Sequence, residues 1–223
     1  MNQTSLPVLT PVQTRVLGVL VEKQLTTPDY YPLSLNALVA GCNQKTSRDP
    51  VMSVTDAEVQ SALDELKDKT LVSHSWGSSR RVVRYAHNLP TGLRTDPGTT
   101  ALLAALMLRG AQTSGELRIG AERMYHFADL SAVEAYLEEM AQRESGALAI
   151  KLPKQPGSRE HRWMHLLNGP LDVESYASAD RAESTSTAAS SALAEDVAQL
   201  RDEVTQLRAQ VERLLEELGV NRQ

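Results

Sequence analysis

Between residues 193 and 218 apolar residues recur at intervals of 4, 3, 4, 3, 4, 3 and 4, through Leu193, Val197, Leu200, Val204, Leu207, Val211, Leu214 and Leu218. With valines at heptad position a, the leucines from Leu193 to Leu214 fall at d and Leu218 at a, a combination that favours two parallel strands. Asp196 and Glu203 then occupy g, and Arg201 and Arg208 occupy e. A parallel partner sets Asp196 against Arg201 and Glu203 against Arg208, whereas an antiparallel one meets like charge with like. A single amphipathic helix folded back on its own domain would carry a broader stripe of period 3.6; this seam is narrow with a period of 3.5. The pattern predicts a coiled-coil helix over 192–219 and a homodimer built on it.

Upstream, one order of elements is written twice. Glu58-Val-Gln-Ser-Ala-Leu-Asp-Glu-Leu66 aligns with Ala132-Val-Glu-Ala-Tyr-Leu-Glu-Glu-Met140. Each stretch opens on a capping signal: Thr55-x-x-Glu58 in the first, and Asp129 or Ser131-x-x-Glu134 in the second. Each is followed by two strand patterns around a polar turn, Leu71–Trp76 and Val82–Ala86, then Leu148–Leu152 and Arg162–Leu167. Two further helices precede each stretch. Thr10-Pro-Val-Gln13 opens one that runs to about Leu25, and Ser34 to Ala40 is read as the next, ended by Gly41. The counterparts are Thr99 to Leu108 and a helix from Thr113-Ser-Gly-Glu116 to about Met124, with Ser34 matched to Ser114. Asn88 to Gly98 carries turn residues and reads as the connection.

The fold class is therefore mainly α with small β-hairpins, an α+β chain of two tandem winged-helix domains, 1–89 and 90–168. A Ser/Thr/Ala-rich flexible linker over 169–191 leads to the coiled coil.

Four segments resemble the bacterial YceH-like family. They are Cys42-Asn-Gln-Lys-Thr-Ser-Arg-Asp-Pro-Val-Met52, Arg109-Gly-Ala-Gln-Thr-Ser-Gly-Glu-Leu-Arg118, Arg123-Met-Tyr-x-Phe127 and Pro156-Gly-Ser-Arg-Glu-His-Arg-Trp-Met-His-Leu166. The resemblance covers about 10–167 and implies the same tandem winged-helix fold. It brings no activity, substrate or catalytic residue with it. Ser114 departs from it, standing where a Pro is expected before Gly-Glu-Leu-Arg.

Charge alters the picture next. The net charge of −5 over 223 residues is uneven: residues 1–170 hold 18 Lys/Arg against 17 Asp/Glu, and residues 171–223 hold 5 against 11. The repeats are near neutral and the tail is acidic, so the low isoelectric point does not exclude an anionic partner. A winged helix that reads DNA sets its third helix in the major groove. Here those helices are acidic, Thr55–Lys69 with five acids against Lys67 and Lys69, and Asp129–Glu144 with five against Arg143. Positive residues gather instead on the wings, at Arg80, Arg81, Arg84, Lys151, Lys154 and Arg159, and on the 42–52 loop at Lys45 and Arg48. The leading expectation is a regulator holding double-stranded DNA through these residues. The rival is a protein-interaction module whose acidic third helices face an unidentified partner protein.

Candidate chemistry is sparse. Cys42 is the only cysteine and Lys45 could lower its pKa, but a small semi-buried residue is the favoured reading. His161 and His165 lie ~13 Å apart on one strand, too far to share a metal. Tyr30, Tyr31, Trp76 and Trp163 read as core or hairpin packing, as do Met124 and Phe127, with Arg123 pairing to an acid or a carbonyl. No enzyme, cofactor or metal is expected. With neither a signal peptide nor a run of ~20 apolar residues, a cytoplasmic protein without a membrane partner is expected.

Val204→Asp or Val211→Asp should leave the repeats folded and shift sedimentation to the monomer mass. A dimer that survives both substitutions would move the interface out of the coil.

Overall fold

The computed structural model describes residues 6–76, 82–154, 158 and 160–171. The heptad residues Leu193 to Leu218 and the linker before them lie outside the described residues. The first repeat runs α1 (Pro11–Thr26), β1 (Leu33–Ser34), α2 (Leu35–Cys42), α3 (Asp56–Asp68), β2 (Val72–Trp76) and β3 (Val83–His87). After the short α4 (Leu89–Leu93) the same order returns as α5 (Pro97–Arg109), β4 (Gln112–Thr113), α6 (Ser114–Ala121), α7 (Leu130–Gln142), β5 (Ala149–Lys151) and β6 (Arg162–His165). Each repeat has an antiparallel three-stranded sheet with its last strand in the middle, β1-β3-β2 and β4-β6-β5. The registers also match. Leu33 faces Tyr85 and Gln112 faces Trp163, while Val72 faces His87 and Ala149 faces His165.

Side-chain caps set where the helices start. Thr10 Oγ1 accepts from the Gln13 amide and Gln13 Oε1 accepts from the Thr10 amide, with Pro11 at the first position, where no N–H is needed. Thr55 with Glu58 and Thr113 with Glu116 form the same reciprocal box. The cap of α7 is Asp129, which accepts from the Ala132 amide at 2.8 Å and holds the Ser131 hydroxyl at 2.7 Å. Ser34 and Thr113 hold corresponding cap positions, so the repeats superpose one residue away from the sequence match to Ser114.

Three boundaries differ from the sequence reading, each for a physical reason. Gly41 does not end α2; it lies within the helix, where an added Cβ would sit 2.6 Å from Val19 Cγ1. It is there to let α2 approach α1 closely, and Asn43 forms the cap. The stretch 88–98 is not all turn: α4 occupies part of it, and α5 begins at Pro97 because Asp96 caps it through the Thr99 amide. The two-residue strands β1 and β4 are too short to show any alternation of apolar and polar positions.

The core is continuous across both repeats. The middle of α1, Gln13 to Val21, is buried on every side, and so is α5 from Gly98 to Leu108. These first helices of the two repeats pack on each other. At Gly18 an added Cβ would lie 3.1 Å from the Leu108 side chain and 3.2 Å from Met107 Cβ. A clasp closes the far ends: the Leu9 amide donates to Leu167 O at 2.7 Å, and Asn168 Nδ2 donates to Leu9 O at 3.0 Å.

Phe127 is buried among Tyr125 and Tyr136, with centroids 4.8 and 5.5 Å away, and Met124 packs against the core. Arg123 is exposed and has no partner among the described residues, contrary to the pairing expected of it. Trp163 is buried and Tyr31 half-buried, whereas Trp76 and Tyr30 are 62% and 75% exposed and so are not core residues. No helix among the described residues is long and apolar enough to cross a membrane.

Candidate functional site

Apolar spacing fixes which face of each third helix meets solvent. In α3, Val59, Ala62, Leu63 and Leu66 turn inward, which leaves Asp56, Glu58, Asp64, Glu65 and Asp68 exposed. In α7, Val133, Leu137 and Met140 turn inward, and Glu134 and Glu139 are exposed, with Glu138 partly so. Of the cations on these helices, Lys67 offsets one acid and Arg143 none. Lys67 sits 3.5 Å from Asp64, and Arg143 is turned away to donate to Leu93 O at 2.7 Å.

Each third helix is bridged to its hairpin by a polar contact, though not at equivalent positions of the two repeats. In the first repeat, Tyr85 Oη lies 3.0 Å from Gln60 Oε1, and Gln60 Nε2 donates to Asp64 at 3.2 Å. In the second, Lys151 Nζ donates to Glu138 at 3.1 Å while lying 5.3 Å above the centre of the Trp163 ring. A cleft of about 400 Å³ opens between α7 and this hairpin, lined by Leu130, Glu134, Lys154 and His161 among others.

The residues expected to hold phosphate differ in how far each is free to do so. Arg80, Arg81 and Arg159 lie outside the described residues. Lys45 and Lys154 are exposed, and Arg84, also exposed, donates to Pro32 O at 2.8 Å. Lys151 is engaged by Glu138. Arg48 is removed from the set altogether, for its side chain is fully buried and all five of its N–H donors are taken. Nε donates to Gly41 O, Nη1 to Glu22 Oε1 and Ser47 O, and Nη2 to Glu22 Oε2 at 2.6 Å and to Gln44 Oε1. Burial pushes the Glu22 carboxyl upward, but the hydrogen bonds and charge of Arg48 outweigh it and hold the group below its ordinary range.

Arg15, which the sequence reading passed over, completes this anchorage. Buried in the middle of α1, it donates to Cys42 O at 3.1 Å and to Pro50 O at 2.7 Å. Burial, and then the neighbouring charge of Arg48, lower its pKa. The sequence signal for this pair was thin: an arginine and a glutamate within and just after the apolar run of α1. Cys42 is fully buried and its thiol is pushed up to about 12 by that burial, despite Arg15 and Arg48 nearby, which disfavours the thiolate. His87 and His165 hold matching positions in β3 and β6, and burial lowers each to about 4, leaving both neutral near pH 7. His161 Nδ1 lies 2.8 Å from Leu152 O. Among the described residues no group of three His, Cys, Asp or Glu could hold a metal ion.

The chain matches, over residues 9–158, the model of a family described as a protein of unknown function, DUF480. It is 53% identical over 215 residues to a UPF0502 protein of Burkholderia multivorans, covering 96% of this chain and 90% of that one. A UPF0502 protein of Acidovorax sp. is 52% identical over 215 residues, covering 95% of both chains. One of Leptothrix cholodnii is 53% identical over 220 residues, covering 96% of both.

Glu22→Gln should cost about 3 kcal/mol of unfolding free energy, because it leaves the Arg48 guanidinium buried without its carboxylate. Lys45→Ala, at an exposed position, should cost no more than ~0.5 kcal/mol. Equal losses in the two variants would return Arg48 to the surface set.

Proposed function

The chain belongs to the DUF480 family, and we propose that it is a tandem winged-helix protein-interaction module whose acidic third helices engage a basic partner protein. The order helix, short strand, helix, helix, hairpin, with the last strand central, is that of a winged helix. Fold alone does not decide the ligand. The observation that carries the reading is the charge of the two third-helix faces. The exposed positions of α3 are dominated by Asp56, Glu58, Asp64, Glu65 and Asp68, and those of α7 include Glu134 and Glu139. A helix of this charge pressed into a groove between phosphates would be repelled, whereas a basic protein surface would be attracted and steered to it. The coiled coil at 192–219 belongs to the same proposal: by joining two copies in parallel it doubles the number of acidic faces a partner can engage.

DNA binding through the wings is the second reading. Exposed Lys45, Arg84 and Lys154 favour it, together with Arg80, Arg81 and Arg159 in the sequence. Against it stand the engagement of Lys151 by Glu138 and the burial of Arg48.

The two readings separate in parallel titrations of the full chain, at ~50 mM salt, with a random-sequence duplex and with an arginine-rich peptide. The interaction reading predicts peptide binding that weakens as salt is added, and that falls on the order of tenfold in Asp64→Lys/Glu65→Lys. It predicts no duplex binding. Duplex binding with a steep salt dependence, and none to the peptide, would reverse the order of the two.

A further inference from the structure

The two repeats differ at one sheet edge. In each, the first strand of the hairpin lies at the margin of its sheet, paired with the last strand on one side and, among the described residues, with no strand on the other. In the second repeat that margin is blunted: β5 is three residues long, ends on Lys151 and runs into Pro153 two residues later. Short strands, lysine and proline are devices that keep a sheet edge from pairing with another chain. The counterpart β2 has none of them. It is five residues long, and from Leu71 to Ser79 the sequence holds no Asp, Glu, Lys, Arg or Pro. Its residues Ser73, His74, Ser75 and Trp76 are all exposed.

The register determines what this edge offers. The Asn88 amide donates to Leu71 O at 2.7 Å, and the pairing of Val72 with His87 continues from there. Antiparallel strands alternate between bonded and unbonded pairs, so Leu71, Ser73 and Ser75 bond to β3 while Val72, His74 and Trp76 turn their N–H and C=O away from it. The His87 amide keeps the same phase, for it donates to Tyr31 Oη at 2.6 Å, away from Val72. The side chains of Val72, His74 and Trp76 share one face of the strand. Val72 is buried at one end of that row, and Trp76 is 62% exposed at the other.

We propose that β2 is an interface for a second copy of this chain, the two strands pairing antiparallel about a two-fold axis at His74. In that register each copy's Val72 lies opposite the other's Trp76, Ser73 lies opposite Ser75, and His74 meets its own counterpart. The residues whose N–H and C=O point outward then face one another as bonded pairs, so the phase of the edge and the two-fold agree. Each exposed indole is laid beside the second copy's Val72, on the face that leads into the core. A two-fold sets each charge near the axis close to its own copy, which an edge without acids, lysine or arginine tolerates. A strongly acidic or basic strand would find no counter-charge there. A strand pair this short is weak alone, and the heptads at 192–219, proposed to join two copies, would raise its local concentration. The edge does not involve the acidic third-helix faces, so it stands or falls apart from the partner proposed for them.

The test is amide hydrogen exchange of the full chain beside His74→Lys, which sets lysine against lysine at the axis from an exposed position. Val72 and Trp76 should exchange on the order of tenfold faster in the variant, while Ser73 and Ser75, bonded to β3 in either state, keep their rates. Cross-linking under a mild oxidant needs no loss of pairing. His74→Cys places two thiols opposite each other in a bonded pair, where Cα atoms lie about 5.5 Å apart and within reach of a disulfide. It should link two chains at least ~10-fold faster than Ser61→Cys, exposed on α3 of the same tethered chain. Buried Cys42 takes no part. Val72 and Trp76 amides that exchange alike in both proteins would overturn the proposal. So would equal linking of the two cysteine variants, and a dimer by sedimentation with either result would leave the coiled coil standing without the strand pair.

Discussion

The packing of α1 against α5 is the contact on which the two repeats depend. Each is the first helix of its repeat, each starts on a capped proline, and each is buried on every side through its middle turns. A helix apolar all round has no face to give to water, so neither could be covered by the short helices and the three-stranded sheet of its own repeat alone. Gly18 lets the two helices approach, because a side chain there would press into Met107 and Leu108. The clasp from Leu9 and Asn168 then closes the unit at the opposite ends of the described chain.

Given that pairing, the long loop after α2 has somewhere to rest. Arg15 reaches it from α1 and holds Cys42 O and Pro50 O, while Arg48 folds inward from the loop itself onto Glu22 at the end of α1. Two buried guanidiniums thus set the course of a segment with no ladder of its own to satisfy its carbonyl groups. What the loop presents outward is decided by this anchorage. Ser47 and Asp49 face the second repeat, and Arg48, which the composition of the loop marks as a surface cation, is spent in the interior.

Much of the architecture was legible in the sequence because its signals are local. Threonine, serine and aspartate caps mark all six principal helix starts, although Thr99 and not Asp96 was read as the start of α5, and the apolar spacing of α3 and α7 determines both their inner faces and the acidity of their outer ones. The repeat itself was visible in the match of Glu58–Leu66 with Ala132–Met140. What stayed hidden depended on contacts between distant residues. Gly41 resembles a helix terminator until Val19 is known to lie against it. The Arg48–Glu22 pair joins residues with no spacing rule between them. Trp76 is of a type expected in a hairpin core, but it pairs with Val83 in a strand of which only Val72 is buried. Among the candidate site residues, type and sequence position could nominate cations, but only burial could separate Arg48 from Lys45.

Native-state hydrogen exchange across a denaturant series tests the shared core most directly. If the α1–α5 contact makes the repeats one cooperative unit, the slowest amides of α3 and of α7 should open with the same free energy and the same denaturant dependence, converging on global unfolding. If α7 and its hairpin instead opened at lower free energy and with a smaller denaturant dependence while α3 stayed protected, the repeats would be independent folding units. That result would contradict the central role of the helix pair.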